Sequence, residues 1–192
     1  MKAGSGGCPV DAALTPAGVT GVSLGSQTLG ARRPLHATPA GVAQCAMPTA
    51  YTCLGTHIVF STKGRVPSVD DGWIGELHAY VAGTMEGFGA TVFAVGGTAD
   101  HVHIAANLPA KLAPAAIIRE IKKSTHVWAA ARRPGFAWQI GYGAFGFSAA
   151  ERSRIVGYVK RQADHHKTVS SADELRALLE EHGIAWDERF FD

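Results

Sequence analysis

Two histidines separated by one residue form the first candidate site. His101 and His103 open the run His101-Val-His-Ile-Ala-Ala-Asn107, which we predict to be a strand. Side chains two positions apart in a strand point to the same face, so both imidazoles can reach one metal ion while Val102 points into the core. The pair alone also fits two polar residues on a solvated strand. It follows a predicted turn that ends in Asp100, however, and strand ends often carry functional residues.

The second candidate group is Tyr158 and Gln162, four positions apart in a predicted helix. Residues at this spacing lie one turn apart on one helical face, so the phenol and the carboxamide point the same way. An amide oxygen is a ligand for a divalent ion, which makes Gln162 the candidate third ligand. The ion would polarise a phosphate oxygen, and Tyr158 would be the nucleophile once a nearby cation or base favours its phenolate. Without the histidine pair, both residues would be ordinary amphipathic helix positions.

Three further histidines are weaker candidates. His165 and His166 close the same predicted helix, where they can contact phosphate, assist proton transfer or cap the helix C-terminus. Capping is the role we expect for at least one of them. His57 lies inside the first predicted strand and is expected to be a hydrogen-bonded structural residue rather than a ligand. Asp100 is the only carboxylate adjacent to the histidine pair, so a hydrolase that activates water lacks an evident base.

The basic residues are concentrated in the middle of the chain. The net charge is only +2, but residues 111–167 carry eleven basic and three acidic side chains, whereas residues 168–192 have a net charge of −5. This distribution suits a polyanionic partner, although a solvated helix face fits the charge equally well. The candidate phosphate contacts lie on the two helices predicted here: Arg119, Lys122, Lys123, Arg152, Arg154, Lys160 and Arg161.

Residues 1–46 differ in composition from the rest of the chain. They contain eight Gly and nine Ala and no aromatic residue, so they cannot bury enough apolar surface to offset their ordering entropy. We predict a flexible leader followed by a folded catalytic domain at residues 47–192. The three cysteines have no CxxC pairing, which argues against a zinc site or disulfides and favours a cytoplasmic location. No apolar run approaches the ~20 residues of a membrane span.

Hydrophobic periodicity predicts the element order β-α-β-β-α-β-α-α. The predicted strands are residues 51–62, 91–95, 101–107 and 139–147, with residues 96–100 as a turn. The predicted helices are residues 70–87, residues 114–131, a helix opened by the capping box Ser148-Ala-Ala-Glu151 and running to about His166, and residues 171–182. This order predicts an α+β fold, in which an antiparallel sheet has its helices mainly on one face and the C-terminal helices carry Tyr158.

Together these motifs resemble the single-tyrosine HUH transposases, which include the REP-associated tyrosine transposases. The matching stretches follow the family order over residues 47–190: Tyr51-Thr-Cys-Leu, His57-Ile-Val-Phe-Ser-Thr-Lys63, Asp100-His-Val-His-Ile104, Gly141-Tyr-Gly-Ala-Phe145 and Tyr158-Val-Lys-Arg-Gln-Ala-Asp-His-His166. The resemblance implies an RRM-like βαββαβ core, usually paired as a homodimer, with Mg²⁺ or Mn²⁺ bound by His101, His103 and Gln162. It also implies that Tyr158 attacks single-stranded, hairpin-forming DNA. The product would be a 5′-phosphotyrosyl link and a free 3′-OH, and some relatives swap the tyrosine helix between subunits.

Two other functions stay open at this point. A replication initiator or relaxase-type nickase would share the HUH site, but such enzymes often have the tyrosine elsewhere or doubled, together with a larger accessory region. A domesticated, non-catalytic hairpin-binding protein would have the same fold and the same basic segment. The presence of both histidines, Tyr158 and Gln162 argues against lost chemistry. Strand transfer through a phosphotyrosine conserves the energy of the broken bond, which fits a chain without a P-loop or dinucleotide fingerprint.

Overall fold

The structure, a computed structural model, describes residues 51–188 and Phe191. The predicted leader at residues 1–46 and the predicted domain boundary at residue 47 lie outside the described residues. The elements follow the predicted order: β1 (Gly55–Ser61), α1 (Ile74–Gly87), β2 (Thr91–Thr98), β3 (His101–Asn107), α2 (Pro114–Ala130), β4 (Gly143–Gly146), α3 (Arg152–Lys160), α4 (Gln162–His165) and α5 (Ser171–Glu181). None of the helices between residues 51 and 188 has the length and apolar character needed to span a bilayer.

The four strands form one antiparallel sheet in the order β2-β3-β1-β4. β1 pairs with β3 along its whole length, from Gly55 opposite Asn107 to Ser61 opposite His101, and with β4 on its other side. Because β1 and β3 each have a neighbour on both edges, nearly all their residues are buried. The sheet and its helices confirm the predicted α+β class.

Side-chain alternation along β3 separates the apolar core from the polar face. Val102 and Ile104 point into the main hydrophobic core, which α1 and α2 cover. His101 and His103 therefore point to the opposite face, where Val159 of α3 packs against the sheet. The two long helices thus lie together on one face, and the shorter C-terminal helices lie over the face that carries the histidines. The prediction that Val102 points into the core is confirmed.

The segment before the histidines is a strand rather than the predicted turn. β2 extends through Thr98, so only Ala99 and Asp100 turn the chain into β3. The glycine at position 96 is needed for packing, because a Cβ there would collide with the carbonyl oxygen of Val159. Its missing side chain lets α3 approach the sheet closely. The predicted turn at residues 96–100 is therefore wrong apart from its last two residues.

The helix predicted from Ser148 to about His166 is interrupted. α3 begins at Arg152, after the predicted capping box, and ends at Lys160, and α4 begins at Gln162 after the intervening Arg161. The Glu151 carboxylate accepts hydrogen bonds from the Ser148 backbone N–H at 2.9 Å and from the Ser148 hydroxyl at 2.8 Å. The bond from the Ser148 N–H is the carboxylate half of a capping box.

Candidate metal centre and nucleophile

The two histidines of β3 are buried, and each has its Nδ1 atom engaged. Their ring centroids are 4.9 Å apart. His101 Nδ1 lies 2.7 Å from an Asp100 carboxylate oxygen, and His103 Nδ1 lies 2.8 Å from His57 Nε2. The Nε2 atoms of His101 and His103 consequently face a common centre between the sheet and the C-terminal helices.

Glu174 of α5 enters this centre. Its Oε2 atom lies 3.1 Å from His103 Nε2, 4.0 Å from His101 Nε2 and 3.1 Å from His166 Nε2. Ligand atoms of these four residues all lie within 4.8 Å of one another, close enough to surround one ion. Imidazole nitrogens combined with a carboxylate oxygen suit a divalent cation.

Tyr158 and Gln162 converge on the same carboxylate despite the break between α3 and α4. The Tyr158 hydroxyl donates to Glu174 Oε1, and Gln162 Nε2 donates to that same oxygen at 3.0 Å. Gln162 is 1 % exposed, and its Oε1 lies 3.5 Å from His101 Nε2. The structure therefore brings His101, His103, Tyr158 and Gln162 of one chain together around Glu174.

Burial and hydrogen bonding fix the charges in this cluster. Burial opposes ionisation of Glu174, yet its contact with His103 and the hydrogen bonds donated by Tyr158 and Gln162 hold the pKa of its carboxyl well below the usual range. Burial and the hydrogen bond to Glu174 raise the pKa of Tyr158 above its ordinary value. Burial also lowers the pKa of His103 to about 4. Near neutral pH the cluster therefore contains an ionised carboxylate, a neutral His103 whose nitrogen can bind a metal, and a protonated phenol.

Polar contacts at the start of α5 dock this helix over the centre. The Ser171 hydroxyl donates to Asp100 Oδ2 at 2.8 Å, and Arg65 Nη1 donates to Ser171 Oγ at 3.0 Å. Asp100 is thus shared between the docking of α5 and the orientation of His101. With α5 docked, Glu174 is only 4 % exposed, and His101 and His103 are closed off from bulk solvent.

A cavity of about 460 Å³ reaches Tyr158 between α3, α5 and β4. Its lining includes Tyr158 and Glu174 together with Arg154, Arg161 and His165. The same lining includes the acidic side chains of Glu151, Asp173 and Glu181, so Arg154 and Arg161 are the cationic groups of this cavity that a phosphate could meet.

Residues 50–162 of this chain match the family described as "Transposase IS200 like". The match covers more than half of the chain and includes His101, His103, Tyr158 and Gln162. The chain belongs to the IS200-like transposase family. It is therefore a member of a family of DNA-processing enzymes, and the family inferred from the sequence motifs is confirmed. Glu174 and α5 lie beyond the matched residues of this transposase.

Two solved structures resemble the transposase, each with a TM-score of 0.49 and 18 % sequence identity. One is a provisionally assigned transposase from Deinococcus radiodurans R1, and the similarity covers 59 % of this chain and 94 % of that one. The other is a REP-associated tyrosine transposase bound to a REP hairpin, and the similarity covers 62 % of this chain and 73 % of that one. No curated protein sequence matches the transposase significantly.

Two members of the cluster were not assigned to it from the sequence. The expectation that Asp100 is the only carboxylate near the histidine pair is wrong, because α5 folds back and brings Glu174 to His103. His166 was a candidate helix cap, but its Nε2 faces Glu174 while its Nδ1 contacts the Val169 carbonyl at 2.7 Å. The position of His166 four residues after Gln162 indicated that it could reach the same centre. Nothing in the sequence near Glu174 indicated such a role.

The basic side chains of α2 lie away from the centre. Because α2 covers the other face of the sheet, the candidate phosphate contacts Arg119, Lys122 and Lys123 do not flank the histidines. Lys122 donates to the carbonyl oxygens of Gln139, at 2.8 Å, and Gly141, and burial lowers its pKa to about 8. This lysine therefore ties α2 to the segment before β4, whereas Arg119 and Lys123 are exposed.

The basic side chains of the tyrosine helix lie on the same face of the sheet as the centre. Arg154 and Arg161 line the cavity that contains Tyr158. Lys160 is exposed at the end of α3, and the Arg152 guanidinium lies 5.2 Å from the centroid of the Phe93 ring. These four side chains therefore lie on the face of the sheet that carries Tyr158, whereas those of α2 do not.

Proposed function

We propose that this transposase cuts and rejoins single-stranded DNA, with Tyr158 as the nucleophile at a divalent metal centre built on His101, His103 and Glu174. One observation carries the proposal, namely that three groups meet at the Glu174 carboxylate. The Tyr158 hydroxyl donates to Oε1, and the Nε2 atoms of His101 and His103 both face Oε2. The proposed nucleophile and the proposed metal ligands therefore lie against the same carboxylate group. That arrangement suits phosphoryl transfer at a metal-bound phosphate.

The donor atoms fit a divalent cation, and the cofactor we propose is Mg²⁺ or Mn²⁺. His101 and His103 keep Nε2 available because their Nδ1 atoms are engaged, and Glu174 Oε2 adds an anionic oxygen. Gln162 Oε1 faces His101 Nε2 and would be a further neutral ligand, and the imidazole of His166 would be another. When bound, the ion would act as a Lewis acid on a non-bridging phosphate oxygen.

The chain's own residues carry out the proton and bond transfers. The Tyr158 oxygen attacks the scissile phosphorus, the new O–P bond forms, and the bond from phosphorus to the 3′ oxygen breaks. The phenol proton passes to Glu174 Oε1, which already accepts the hydrogen bond from Tyr158, and the 3′ oxygen takes a proton from water. The products are a 5′-phosphotyrosyl link and a free 3′-OH. Attack by a 3′-OH on that link rejoins the DNA without ATP, because the link retains the phosphodiester energy.

The substrate we propose is hairpin-forming single-stranded DNA. Arg154 and Arg161 would contact the backbone beside the scissile phosphate, because they share a cavity with Tyr158. Lys160 would extend this path, and Arg119 and Lys123 would contact DNA only away from the centre. A homodimer, with the tyrosine helix in cis or in trans, stays a prediction from the motif resemblance.

A metal-dependent hydrolase is the second candidate function. Glu174 favours it, since this residue supplies the carboxylate near the histidines that the sequence alone did not reveal. In a hydrolase the carboxylate would deprotonate a water molecule, and Tyr158 would only bind the phosphate. The two candidates differ in whether the protein becomes covalently attached to the DNA.

A labelled-DNA assay distinguishes these functions. The full chain is incubated with 3′-end-labelled hairpin DNA and Mn²⁺, because the attached fragment in our mechanism carries the 3′ label. We expect a labelled protein band on a denaturing gel, and its loss in Tyr158→Phe and with EDTA. Metal-dependent cleavage that survives Tyr158→Phe would favour the hydrolase. Tight hairpin binding without cleavage would favour the non-catalytic binder.

A further inference from the structure

We infer that His57 is a positioning residue of the metal centre, which accepts the Nδ1–H of His103 and so keeps the His103 Nε2 lone pair directed at the cation. The inference rests on the proposed metal site. His57 itself is not a ligand, because its Nε2 is already taken by His103 Nδ1.

The sheet places the two imidazoles side by side. β1 and β3 are paired so that Val59 lies opposite His103 and His57 lies opposite Ala105, which puts both histidines on the same face. His57 Nε2 lies 2.8 Å from His103 Nδ1, and the rings stack with centroids 5.1 Å apart at 23°. His57 is 2 % exposed, so bulk water does not compete for this hydrogen bond.

Metal binding determines which nitrogen carries each proton. A neutral imidazole has one N–H, and a His103 that binds a cation through Nε2 must carry its proton on Nδ1. The hydrogen bond then requires an acceptor at His57 Nε2, so the His57 proton lies on Nδ1. If the acceptor were absent, the His103 proton could move to Nε2 or the ring could rotate. Either change would remove the lone pair from the centre.

The neighbouring ligand is held in a different way. His101 Nδ1 is held by the Asp100 carboxylate at 2.7 Å, which is a charge-assisted contact, whereas His103 relies on a neutral ring. The His57 ring also lies edge-on to Tyr158, with centroids 5.9 Å apart at 88°. A single buried imidazole thus hydrogen-bonds to one proposed ligand and lies against the proposed nucleophile.

Two substitutions at position 57 separate positioning from simple space filling. His57→Gln keeps an acceptor on a side chain of comparable reach, and His57→Leu keeps apolar bulk but removes the acceptor. His78→Leu is the matched control, because His78 lies on α1, over the opposite face of the sheet. Each variant is prepared as the full chain, and thermal unfolding in EDTA confirms that it folds.

The Mn²⁺ dissociation constant, measured by titration calorimetry, is the deciding quantity. We expect His57→Leu to raise it by about 10- to 100-fold, and His57→Gln and His78→Leu to leave it within about threefold of the wild type. Wild-type Mn²⁺ affinity in a folded His57→Leu would overturn the inference. Two other results would show that the proposed metal site itself does not exist. In the first, the wild type binds no Mn²⁺; in the second, His103→Ala binds Mn²⁺ as tightly as the wild type.

A measurement on the wild-type protein tests the inference even if His57→Leu does not fold. Long-range ¹⁵N–¹H NMR correlations of the Mg²⁺-loaded chain report which nitrogen of each imidazole is protonated. We expect Nδ1–H for both His57 and His103. A His57 proton on Nε2 would overturn the inference, since that nitrogen could not then accept a hydrogen bond.

Discussion

The Tyr158 hydroxyl donates a hydrogen bond to Oε1 of Glu174, sixteen residues later in the chain. The other oxygen of the same carboxylate faces the Nε2 atoms of His101 and His103. Glu174 therefore connects the candidate nucleophile to the candidate metal ligands, and it raises the pKa of the phenol while the site is closed. Whether Glu174 promotes the reaction or only occupies the phosphate position can be tested directly.

Replacement of Glu174 by Ala is expected to lower both Mn²⁺ affinity and the rate of covalent adduct formation. The variant loses the proposed anionic ligand and the hydrogen-bond acceptor of Tyr158, and loss of a general base typically costs about 10²- to 10⁴-fold in rate. Glu180→Ala is the matched control, because Glu180 is exposed on the same helix. A Glu174→Ala protein that forms adduct faster than the wild type would show instead that the carboxylate blocks the phosphate.

A methyl group at position 96 is expected to displace the tyrosine helix. In Gly96→Ala the added Cβ meets the Val159 carbonyl oxygen, so α3 must move away from β2. We expect a loss of about 1–3 kcal/mol in the free energy of unfolding and a lower rate of adduct formation. Gly83→Ala on α1 has open space and should gain roughly 0.5–1 kcal/mol. Chemical denaturation of the two variants checks this, and equal stability would contradict the close contact.

Lowering the pH is expected to destabilise the metal-free protein. Burial lowers the pKa of His57 to about 3 and that of His103 to about 4, whereas imidazoles of the unfolded chain titrate near ~6.5. Below about pH 6.5 the unfolded state binds more protons than the folded state, so the free energy of unfolding falls as the pH falls towards about 4. Thermal melts in EDTA between about pH 7 and pH 5 measure this effect, and a constant melting temperature would contradict it.

The two groups of basic side chains are expected to act differently on DNA. Arg161→Gln should weaken binding of single-stranded DNA, reduce the salt dependence of binding by about one counterion, and slow adduct formation. Arg119→Gln on the opposite face is the comparison, and should leave the rate of adduct formation at saturating DNA unchanged. Binding at several salt concentrations and single-turnover rates measure both effects. A slower single-turnover rate in Arg119→Gln would contradict the assignment of α2 to the remote face.

Much of the fold could be predicted because its signals are local. The element order follows from hydrophobic periodicity, and the two-residue spacing of His101 and His103 places both on one face of β3. Glu174 could not be predicted, since its contact with His103 spans 71 residues and depends on α5 folding back over the sheet. The packing role of Gly96 could not be predicted either. The sequence around a glycine that allows close helix packing does not differ from the sequence around a glycine that forms a turn.

Mass spectrometry of the covalent adduct tests the central claim most directly. After reaction with hairpin DNA and Mn²⁺, the adduct is digested with nuclease and protease, and the modified peptide is sequenced. We predict a nucleotide joined through its 5′ phosphate to the oxygen of Tyr158. A nucleotide on any other residue, or DNA cleaved to a free 5′ phosphate without any modified peptide, would contradict the assignment of Tyr158 as the nucleophile.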